Sequence, residues 1–284
     1  DSSTSRGLGD VYKRQPNPRD IPGFVKELSK HKFSSFAGLN TLFVALCNNK
    51  EFNALDFSHL KHTISGGMAL TEAAASTWQN VTGCQIQEAY GLTETSPAVS
   101  FNPYRDIRIG TIGKVVTGTQ VKVISEDGTD LGFDQEGELC VKGPQVMAGY
   151  WQRPEATAEV MDADGWFKTG DVAILAEDGF IRLVDRIKDM INVSGFNVYP
   201  NEIDDIASQH SGILECAAVG IPNSVSGETV KLFVVKSDPN LTADDVISHC
   251  REHLTAYKVP KEVEFRDDLP KTNVGKILRR ALRD

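Results

Sequence analysis

The sequence predicts an α/β region, a small antiparallel β region and a smaller α+β domain, in that order along the chain. Between residues 60 and 94, two short apolar strands separated by a helix each lead into a loop of small and polar residues, which is typical of an α/β unit. Between residues 111 and 184, short strands follow one another through tight turns such as Asp127-Gly128. This pattern is typical of a small antiparallel sheet or a distorted barrel. After residue 188, helical and strand patterns alternate over ~90 residues, which is enough for a separate domain.

Composition limits the classes of function. The 284 residues include 30 Lys and Arg against 39 Asp and Glu, a formal net charge of -9, which argues against general nucleic-acid binding because that usually needs a basic surface. No apolar run reaches the ~18 residues that span a bilayer. The cysteines are scattered without CxxC spacing, which favours reduced thiols in a cytosolic protein over disulfides or a zinc site. They are Cys47, Cys84, Cys140, Cys216 and Cys250.

The patterns divide the chain into three segments. Residues 1–15 are polar and lack the apolar core of a signal peptide, so we treat them as an unmatched leader. Residues 16–187 form a first domain, with its α/β sheet part at 16–110 and its β part at 111–187. Residues 188–284 form the second. Short and charged residues crowd the junction near Lys188, and Gly195 lets backbone approach a ligand closely, so we interpret this junction as a hinge.

The α/β unit begins with helices expected at Ile21–Leu28 and Thr41–Leu46. A strand from Leu60 then runs into the segment 65–70, and Thr71 caps the next helix. A second strand from Gln85 runs into the segment 90–94. If the two strands are parallel, both loops emerge at the carboxyl edge of the sheet, where open α/β sheets hold ligands. The two loops are therefore expected to face one site.

The remaining elements follow from the same patterns. Predicted strands are Val121–Ile124, Gly137–Val141, Val172–Leu175, Phe180–Val184, Glu215–Ile221, Thr229–Lys236 and Val263–Phe265. Predicted helices run from Pro154 to near Gly165, from Asn201 to near His210, from the cap Thr242 onward, and after Gly275.

Three sets of residues have side chains of the kinds that ligand binding or catalysis requires. Thr93 and Glu94 follow a strand, where a hydroxyl can bind a phosphate oxygen and a carboxylate can hold Mg²⁺, and Tyr90 offers a flat face to a nucleobase. An ordinary polar loop explains them equally well. Asp171 enters a strand and can accept two ribose hydroxyls, with Arg186 one strand later. A Gly-Asp turn and a surface ion pair are the alternatives.

The third set is a basic cluster at the end of the chain. Lys276 lies on a glycine-containing loop, and its long side chain suits an anionic transition state. A solvated basic helix end is the plain alternative, and a nucleic-acid patch lacks interleaved aromatic residues. The cluster is Lys271, Lys276, Arg279, Arg280 and Arg283.

Together these motifs resemble those of the adenylate-forming superfamily of acyl-CoA synthetases, luciferases and peptide-synthetase adenylation domains. The segments that carry the resemblance are SGGMAL (65–70), YGLTE (90–94), GWFKTGD (165–171), DRIKDMINVSGFNVYPNEID (185–204) and PKTNVGKILRR (270–280). NPRDIPG (17–23), GPQVM (143–147), GYWQRP (149–154) and YKVP (257–260) are most similar to the bacterial long-chain fatty acid–CoA ligases. The resemblance covers residues 16 to 284.

The resemblance implies an AMP-forming ligase that uses ATP, Mg²⁺ and CoA to activate a fatty acid. Its motifs imply that the adenine is lined by Gly67, Met68 and Ala69, with Tyr90 stacked on it and Gly91 beside it. They imply that Thr93 binds phosphate and that Glu94 holds Mg²⁺. They also imply that Asp171 and Arg186 hold the ribose. They further imply that Lys276 stabilises charge at the α-phosphate, that Lys188 is the hinge and that Gly195 borders the CoA passage. A rotation of the second domain then exchanges Lys276 for that passage.

One departure from the family concerns the phosphate-binding loop, a Ser/Thr/Gly-rich run ending in Pro-Lys-Gly. No such run precedes Ser65. The chain is therefore expected to hold the C-terminal part of a large domain, followed by a mobile C-terminal α+β lid.

The resemblance further implies a cytoplasmic enzyme with no nucleic-acid partner, and it leaves open a homodimer and peripheral contact with the inner membrane face. An aryl- or short-chain acyl-CoA ligase and an inactive nucleotide- or CoA-binding fragment are the alternatives.

Overall fold

A computed structural model describes residues 20–272 and 275–283. Its helices are α1 (Ile21–Leu28), α2 (Asn40–Cys47), α3 (Lys50–Asn53), α4 (Glu72–Thr82), α5 (Pro154–Val160), α6 (Pro200–Ser208), α7 (Ala243–His253) and α8 (Arg280–Arg283), with 3₁₀ turns at Thr93–Thr95 and Ile187–Asp189. The leader predicted at 1–15 lies outside the described residues.

Within the described residues the strands form three sheets. The first holds β1 (Ser35–Gly38), β2 (His62–Gly66), β3 (Ile86–Gly91), β4 (Ala98–Phe101) and β5 (Lys114–Val115), and the second holds β6 (Gln120–Ile124), β7 (Glu136–Lys142), β8 (Phe167–Leu175) and β9 (Ile181–Arg186). The third holds β10 (Ile191–Val193), β11 (Phe196–Val198), β12 (Ile213–Asn223), β13 (Gly227–Lys236) and β14 (Glu262–Phe265).

The first sheet positions most of the candidate site. Its strands lie in chain order, with β1, β2 and β3 parallel and β4 and β5 antiparallel to their neighbours. Apolar side chains of α2, α3 and α4 cover it, with Phe43, Phe52 and Trp78 fully buried. The indole N–H of Trp78 donates to the Thr63 hydroxyl at 3.1 Å, so that this buried polar atom is satisfied. The sheet is therefore held firmly beneath the loops at its carboxyl edge.

The second sheet is antiparallel in the order β6-β7-β8-β9. Of the two forms predicted for this region, the sheet is therefore found, and the described residues form no closed barrel. α5 ends at Val160, earlier than the predicted end near Gly165, because Met161 turns extended and bridges to Phe167. β9 ends at Arg186, immediately before the 3₁₀ turn that contains Lys188.

The third sheet and its helices form the predicted α+β arrangement. α6 buries Ile203 and Ala207 against the sheet, while Ile206 is partly buried. Thr242 caps α7, and its hydroxyl and the Asp245 carboxylate exchange hydrogen bonds with backbone N–H groups as a capping box. The last helix is shorter than the sequence predicts, because Ile277 first bridges to Lys271. The boundary at Lys188 lies between the second and third sheets, and it stays a prediction.

Two findings on the described residues bear on what composition predicted. All five cysteines are free thiols with buried side chains. None of the described helices combines the length and the apolar character that crossing a bilayer requires.

Candidate functional site

The two predicted loops begin at one edge of the first sheet. β2 and β3 are parallel neighbours in which Gly66 lies opposite Ala89, so the segments that follow them leave the sheet side by side. This confirms the expectation that both loops face the same region. A third parallel strand, β1, ends beside them, and neither this strand nor the loop after it was predicted from the sequence.

Lys276 extends to the first of these loops. The Lys276 Nζ and Cε atoms lie 3.3 and 3.2 Å from the point where a Cβ on Gly67 would stand. Gly67 also has a φ of +88°, a conformation that favours glycine over residues with a side chain. A single methyl group at this position would therefore press on the ammonium-bearing chain of Lys276. The structure brings these two predicted site residues together across 209 positions of sequence.

The rest of that loop leads into α4. Ala69 is exposed and Met68 is half-buried, and Thr71 caps the helix by accepting a hydrogen bond from the Ala74 N–H at 3.3 Å. This satisfies one of the unpaired N–H groups at the helix start. The cap predicted from the sequence is confirmed, and it fixes where the loop ends.

Asp171 is the centre of a second cluster. The Tyr90 hydroxyl donates to Asp171 Oδ2 at 2.5 Å, and Arg186 Nε lies 3.3 Å from Asp171 Oδ1. Strand register explains the second contact, because Asp171 of β8 lies directly opposite Arg186 of β9. Asp171 is 5% exposed whereas the Arg186 side chain is half exposed. The structure thus joins the predicted ribose pair to the predicted adenine platform.

Burial and neighbouring charges act in opposite directions on Asp171. Desolvation raises the pKa of this carboxyl, and the Tyr90 hydrogen bond and the positive charges of Arg186 and Lys188 lower it in part. The pKa of Tyr90 is raised, chiefly by burial and then by the adjacent carboxylate. Two carboxylate oxygens carry about four acceptor positions, so Asp171 retains acceptor capacity beyond its two protein partners.

The loop after β3 presents Thr93 and Glu94. Gly91 cannot be replaced here without collision, since an added Cβ would lie 1.7 Å from the Pro97 carbonyl oxygen. Thr93 is exposed, and Glu94 Oε1 accepts a hydrogen bond from the Tyr150 hydroxyl at 3.0 Å. That contact leaves the second carboxylate oxygen of Glu94 for another partner.

Tyr150 and the strand-end residues Leu39, Asn40 and Thr41 were not among the predicted site residues. Tyr150 belongs to a segment that was noted only for its resemblance to relatives. For residues 39–41 a signal did exist, because a third parallel strand must end at the same edge as its neighbours. The four-residue strand β1, with the sequence Ser-Phe-Ala-Gly, was too short to be recognised.

Of the two predicted residues near the junction, Gly195 lies apart from these clusters, whereas Lys188 is near enough to Asp171 for its charge to lower the pKa of that carboxyl. Gly195, at φ +85°, forms the tight turn between β10 and β11, where its N–H donates to Asn192 Oδ1 at 2.9 Å. Lys188 is exposed in the 3₁₀ turn after β9, and Arg283 donates to its carbonyl at 3.3 Å and to that of Asp189 at 3.2 Å. Open space surrounds the point where a Cβ on Gly195 would stand.

Contacts also cross from the first two sheets to the third. The Glu72 N–H at the start of α4 donates to Asp205 Oδ1 at 3.0 Å, and the Asn201 N–H at the start of α6 donates to Asp185 Oδ2 at 2.8 Å. Each carboxylate therefore lies at the N-terminus of a helix from the other part of the chain, where negative charge is favourable. The orientation that places Lys276 at Gly67 is thus held at further points.

The chain belongs to the AMP-binding enzyme family. The model of that family matches residues 4–151, more than half of the chain, and the AMP-binding enzyme C-terminal domain matches residues 202–276. A long-chain-fatty-acid–CoA ligase of Salmonella typhimurium is 60% identical over 269 residues, which cover 94% of this chain and 48% of that protein. The chain therefore spans about half the length of the curated relatives it matches.

Solved structures show the same fold. An anthranilate CoA ligase in complex with anthranoyl-AMP matches with a TM-score of 0.87 and 29% identity, over 93% of this chain and 52% of that one. ATP-bound MatB from Rhodopseudomonas palustris matches with a TM-score of 0.84 and 32% identity, over 93% and 52%. Apo MatB gives 0.71 over 93% and 53%. The arrangement described here is thus more similar to the ATP-bound form than to the apo form.

Proposed function

We propose that the whole protein containing this chain is an ATP-dependent, AMP-forming fatty acid–CoA ligase. The observation that carries the proposal is the position of Lys276 at Gly67, on the sheet edge that also presents Tyr90 and Glu94. A cation at this edge suits a nucleotide whose α-phosphate is attacked by a carboxylate. The similarity to a long-chain-fatty-acid–CoA ligase supports the fatty acid as substrate.

Each cluster then has a role in adenylation. The backbone of Gly67, Met68 and Ala69 lines the adenine, and Tyr90 packs on its face with Gly91 beside it. Asp171 and Arg186 bind the ribose. These roles rest on the matching motifs and on the acceptor capacity that Asp171 retains.

The phosphates of the nucleotide face the remaining residues. Thr93 donates its hydroxyl to a phosphate oxygen, and the Lys276 ammonium stabilises the charge that develops as the fatty acid carboxylate displaces pyrophosphate from the α-phosphate. Acyl-adenylate and pyrophosphate are the products of this step. CoA thiol then attacks the acyl carbon and AMP leaves, which gives the acyl-CoA thioester.

Glu94 fits the metal that this family uses. Its carboxylate supplies the hard oxygen ligand that Mg²⁺ prefers, and Tyr150 holds one oxygen while the other is available. Within the described residues no group of three or more His, Cys, Asp or Glu could bind a metal by itself. Mg²⁺ held by one carboxylate together with nucleotide phosphates and water is consistent with this. When bound, the ion neutralises phosphate charge.

The second step requires different groups at the same acyl carbon. We assign Lys188 as the hinge of an α+β lid, residues 188–284, and Gly195 as the residue that borders the CoA passage after the lid rotates. The large domain then comprises residues 16–187 of this chain. In the described orientation Gly195 is confined to its own turn, which is consistent with its use in the other orientation. The same proposal includes a cytoplasmic location, and it does not require a membrane contact or a dimer.

Pyrophosphate release and acyl-CoA formation by the whole protein, measured across acids of increasing chain length, test the proposal. We expect both products with long-chain acids and little product with benzoates. Preference for benzoates would instead support an aryl-CoA ligase, a second candidate favoured by the fold match to an anthranilate CoA ligase. Calorimetry of this 284-residue chain with AMP and CoA separates nucleotide binding from catalysis, because an inactive binding fragment would still give a binding heat.

A further inference from the structure

The segment formed by Leu39, Asn40 and Thr41 lies where β1 ends and α2 begins. Because β1 is parallel to β2 and β3, this segment emerges at the same sheet edge as the Gly67 loop (residues 65–70) and the Tyr90 loop (residues 90–94). It is therefore the third strand-end loop of the candidate site. None of the assigned binding roles uses it.

Two residues of the segment contact the Gly67 loop. Leu39 Cδ2 lies 3.3 Å from the point where a Cβ on Gly67 would stand. Asn40 Oδ1 accepts hydrogen bonds from the Thr71 N–H at 3.0 Å and from the Thr71 hydroxyl at 3.3 Å. The segment thus fixes both ends of the loop that runs from Gly67 to the start of α4.

The third residue contacts the Lys276 loop. The Thr41 hydroxyl donates to the Gly275 carbonyl oxygen at 3.0 Å, although the two residues are 234 positions apart. That carbonyl belongs to the peptide group that links Gly275 to Lys276. The Lys276 backbone is further held by Thr272, whose N–H donates to the Lys276 carbonyl at 2.7 Å and whose hydroxyl accepts from the Lys276 N–H at 3.2 Å.

We propose that Thr41 is a positioning residue for Lys276 in the adenylation step. Its hydrogen bond fixes the peptide group preceding Lys276, and the side chain of that lysine then extends to Gly67. The inference rests on the proposed function, in which the Lys276 ammonium acts at the α-phosphate. Charge stabilisation depends steeply on placement, so the loss of the tether lowers the fraction of molecules in which the ammonium is aligned.

The proposal makes Thr41 specific to one half-reaction. When the lid rotates about Lys188, Gly275 moves away from α2 together with Lys276, and the hydrogen bond is absent during thioester formation. A residue that merely stabilised the fold would affect both half-reactions equally. The comparison of the two half-reactions therefore separates positioning from stability.

Thr41→Val in the whole protein tests the proposal, because valine keeps the shape and removes the hydroxyl. We expect single-turnover pyrophosphate release to fall about fivefold, the typical effect of one hydrogen bond. Thioester formation from supplied acyl-adenylate should be unchanged. Thr41→Ser, which keeps the hydroxyl, should restore adenylation. Thr77→Val is the matched control, since the exposed Thr77 hydroxyl donates to the Ala73 carbonyl at 2.8 Å away from the site.

A second measurement on this 284-residue chain does not depend on activity. Nitroxide labels at Gln79→Cys and Glu252→Cys, both on exposed helix positions, report the distance between α4 and α7. The native cysteines are buried and so protected from labelling. Thr41→Val should broaden the distance distribution, and Thr77→Val should leave it unchanged.

The outcomes distinguish this inference from the proposed function. If the parent protein releases pyrophosphate but Thr41→Val loses nothing, or loses both half-reactions equally, the positioning role is wrong and the ligase stands. If the parent releases none while Thr41→Val still broadens the distance distribution, the ligase is wrong and the tether between α2 and the Lys276 loop stands. An unchanged distribution together with unchanged adenylation overturns the inference.

Discussion

The two sides of the candidate nucleotide site are built in different ways. On the side of the first sheet, the decisive residues are Gly67 and Gly91, where an added Cβ would meet Lys276 or the Pro97 carbonyl. On the side of the second sheet, they are Asp171 and Arg186, which face each other across an antiparallel ladder. The first side depends on space and backbone, and the second depends on charge.

This difference indicates what each side can tolerate. A backbone surface binds a ligand by shape, so any added atom is costly but little electrostatic energy is at stake. A buried carboxylate binds by hydrogen bonds that a neutral side chain reproduces only in part. Substitutions on the first side should therefore act through steric fit, except at the charged residues Glu94 and Lys276.

Lys276→Ala should give the largest effect, and it tests whether charge acts at this position of the first side. Removing the ammonium from the α-phosphate is expected to slow adenylation by roughly 10²- to 10³-fold, the usual loss when one stabilising group is removed from a transition state. Thioester formation from supplied acyl-adenylate should change little, because Lys276 has left the site by then. Single-turnover measurement of each half-reaction in the whole protein checks this.

Lys271→Ala is the matched control for that substitution. Lys271 lies on the same loop, but its ammonium pairs with Glu215 at 2.7 Å and with Asp268 and does not extend to Gly67. Adenylation should therefore be nearly retained in Lys271→Ala. Equal losses in the two variants, or an equal loss in both half-reactions of Lys276→Ala, would contradict the role of Lys276.

Gly91→Ala probes the steric side in this chain alone. The added methyl group would overlap backbone atoms of Pro97 that cannot move without shifting β4, so we expect the free energy of unfolding to fall by about 3 kcal/mol. Gly179→Ala is the control, because Gly179 has φ +86° with open space around it. Conformational strain alone should cost about 1 kcal/mol there.

Urea unfolding followed by circular dichroism gives both free energies. A loss in Gly91→Ala no greater than that in Gly179→Ala would show that the loop yields to the added group. The steric account of the first side would then be wrong.

Much of this architecture was predictable because local signals agreed with the fold. Thr71 and Thr242 cap helices in the structure, because a hydroxyl just before an amphipathic run accepts a hydrogen bond from a backbone N–H group of the first helical turn. The parallel pairing of β2 and β3 followed from a strand-helix-strand pattern of the right length. The motif segments then located Lys276 and Asp171, whose roles no sequence pattern could test.

The features that were missed depend on tertiary contacts. β1 has only four residues and takes its conformation from pairing with β2, so its own sequence carries little signal. The hydrogen bonds of Tyr150 to Glu94 and of Thr41 to Gly275 join residues far apart in the chain. From the sequence a role was predicted only for the ring face of Tyr90, and in the structure its hydroxyl also donates to Asp171. Such pairings arise only when the sheets are assembled.

Asp171→Asn tests the charged side and should give the smallest of these effects. Asparagine keeps the size of the residue and an oxygen acceptor for Tyr90, but it loses the charge and one acceptor oxygen. We expect the affinity of this chain for AMP, measured by calorimetry, to fall roughly tenfold, as for the loss of one hydrogen bond to a charged group. Asp178→Asn, at an exposed carboxylate paired with Arg108, should leave the affinity unchanged.

A nucleotide without ribose hydroxyls shows whether the effect arises at the sugar. The parent chain should bind 2′,3′-dideoxy-AMP about tenfold more weakly than AMP, and Asp171→Asn should bind the two with nearly equal affinity, because the group that recognises the hydroxyls is already gone. Full discrimination between the two nucleotides in Asp171→Asn would place ribose recognition elsewhere. In that case the buried carboxylate would serve only to hold Tyr90 and Arg186, and the charged side of the site would have to be sought on other residues.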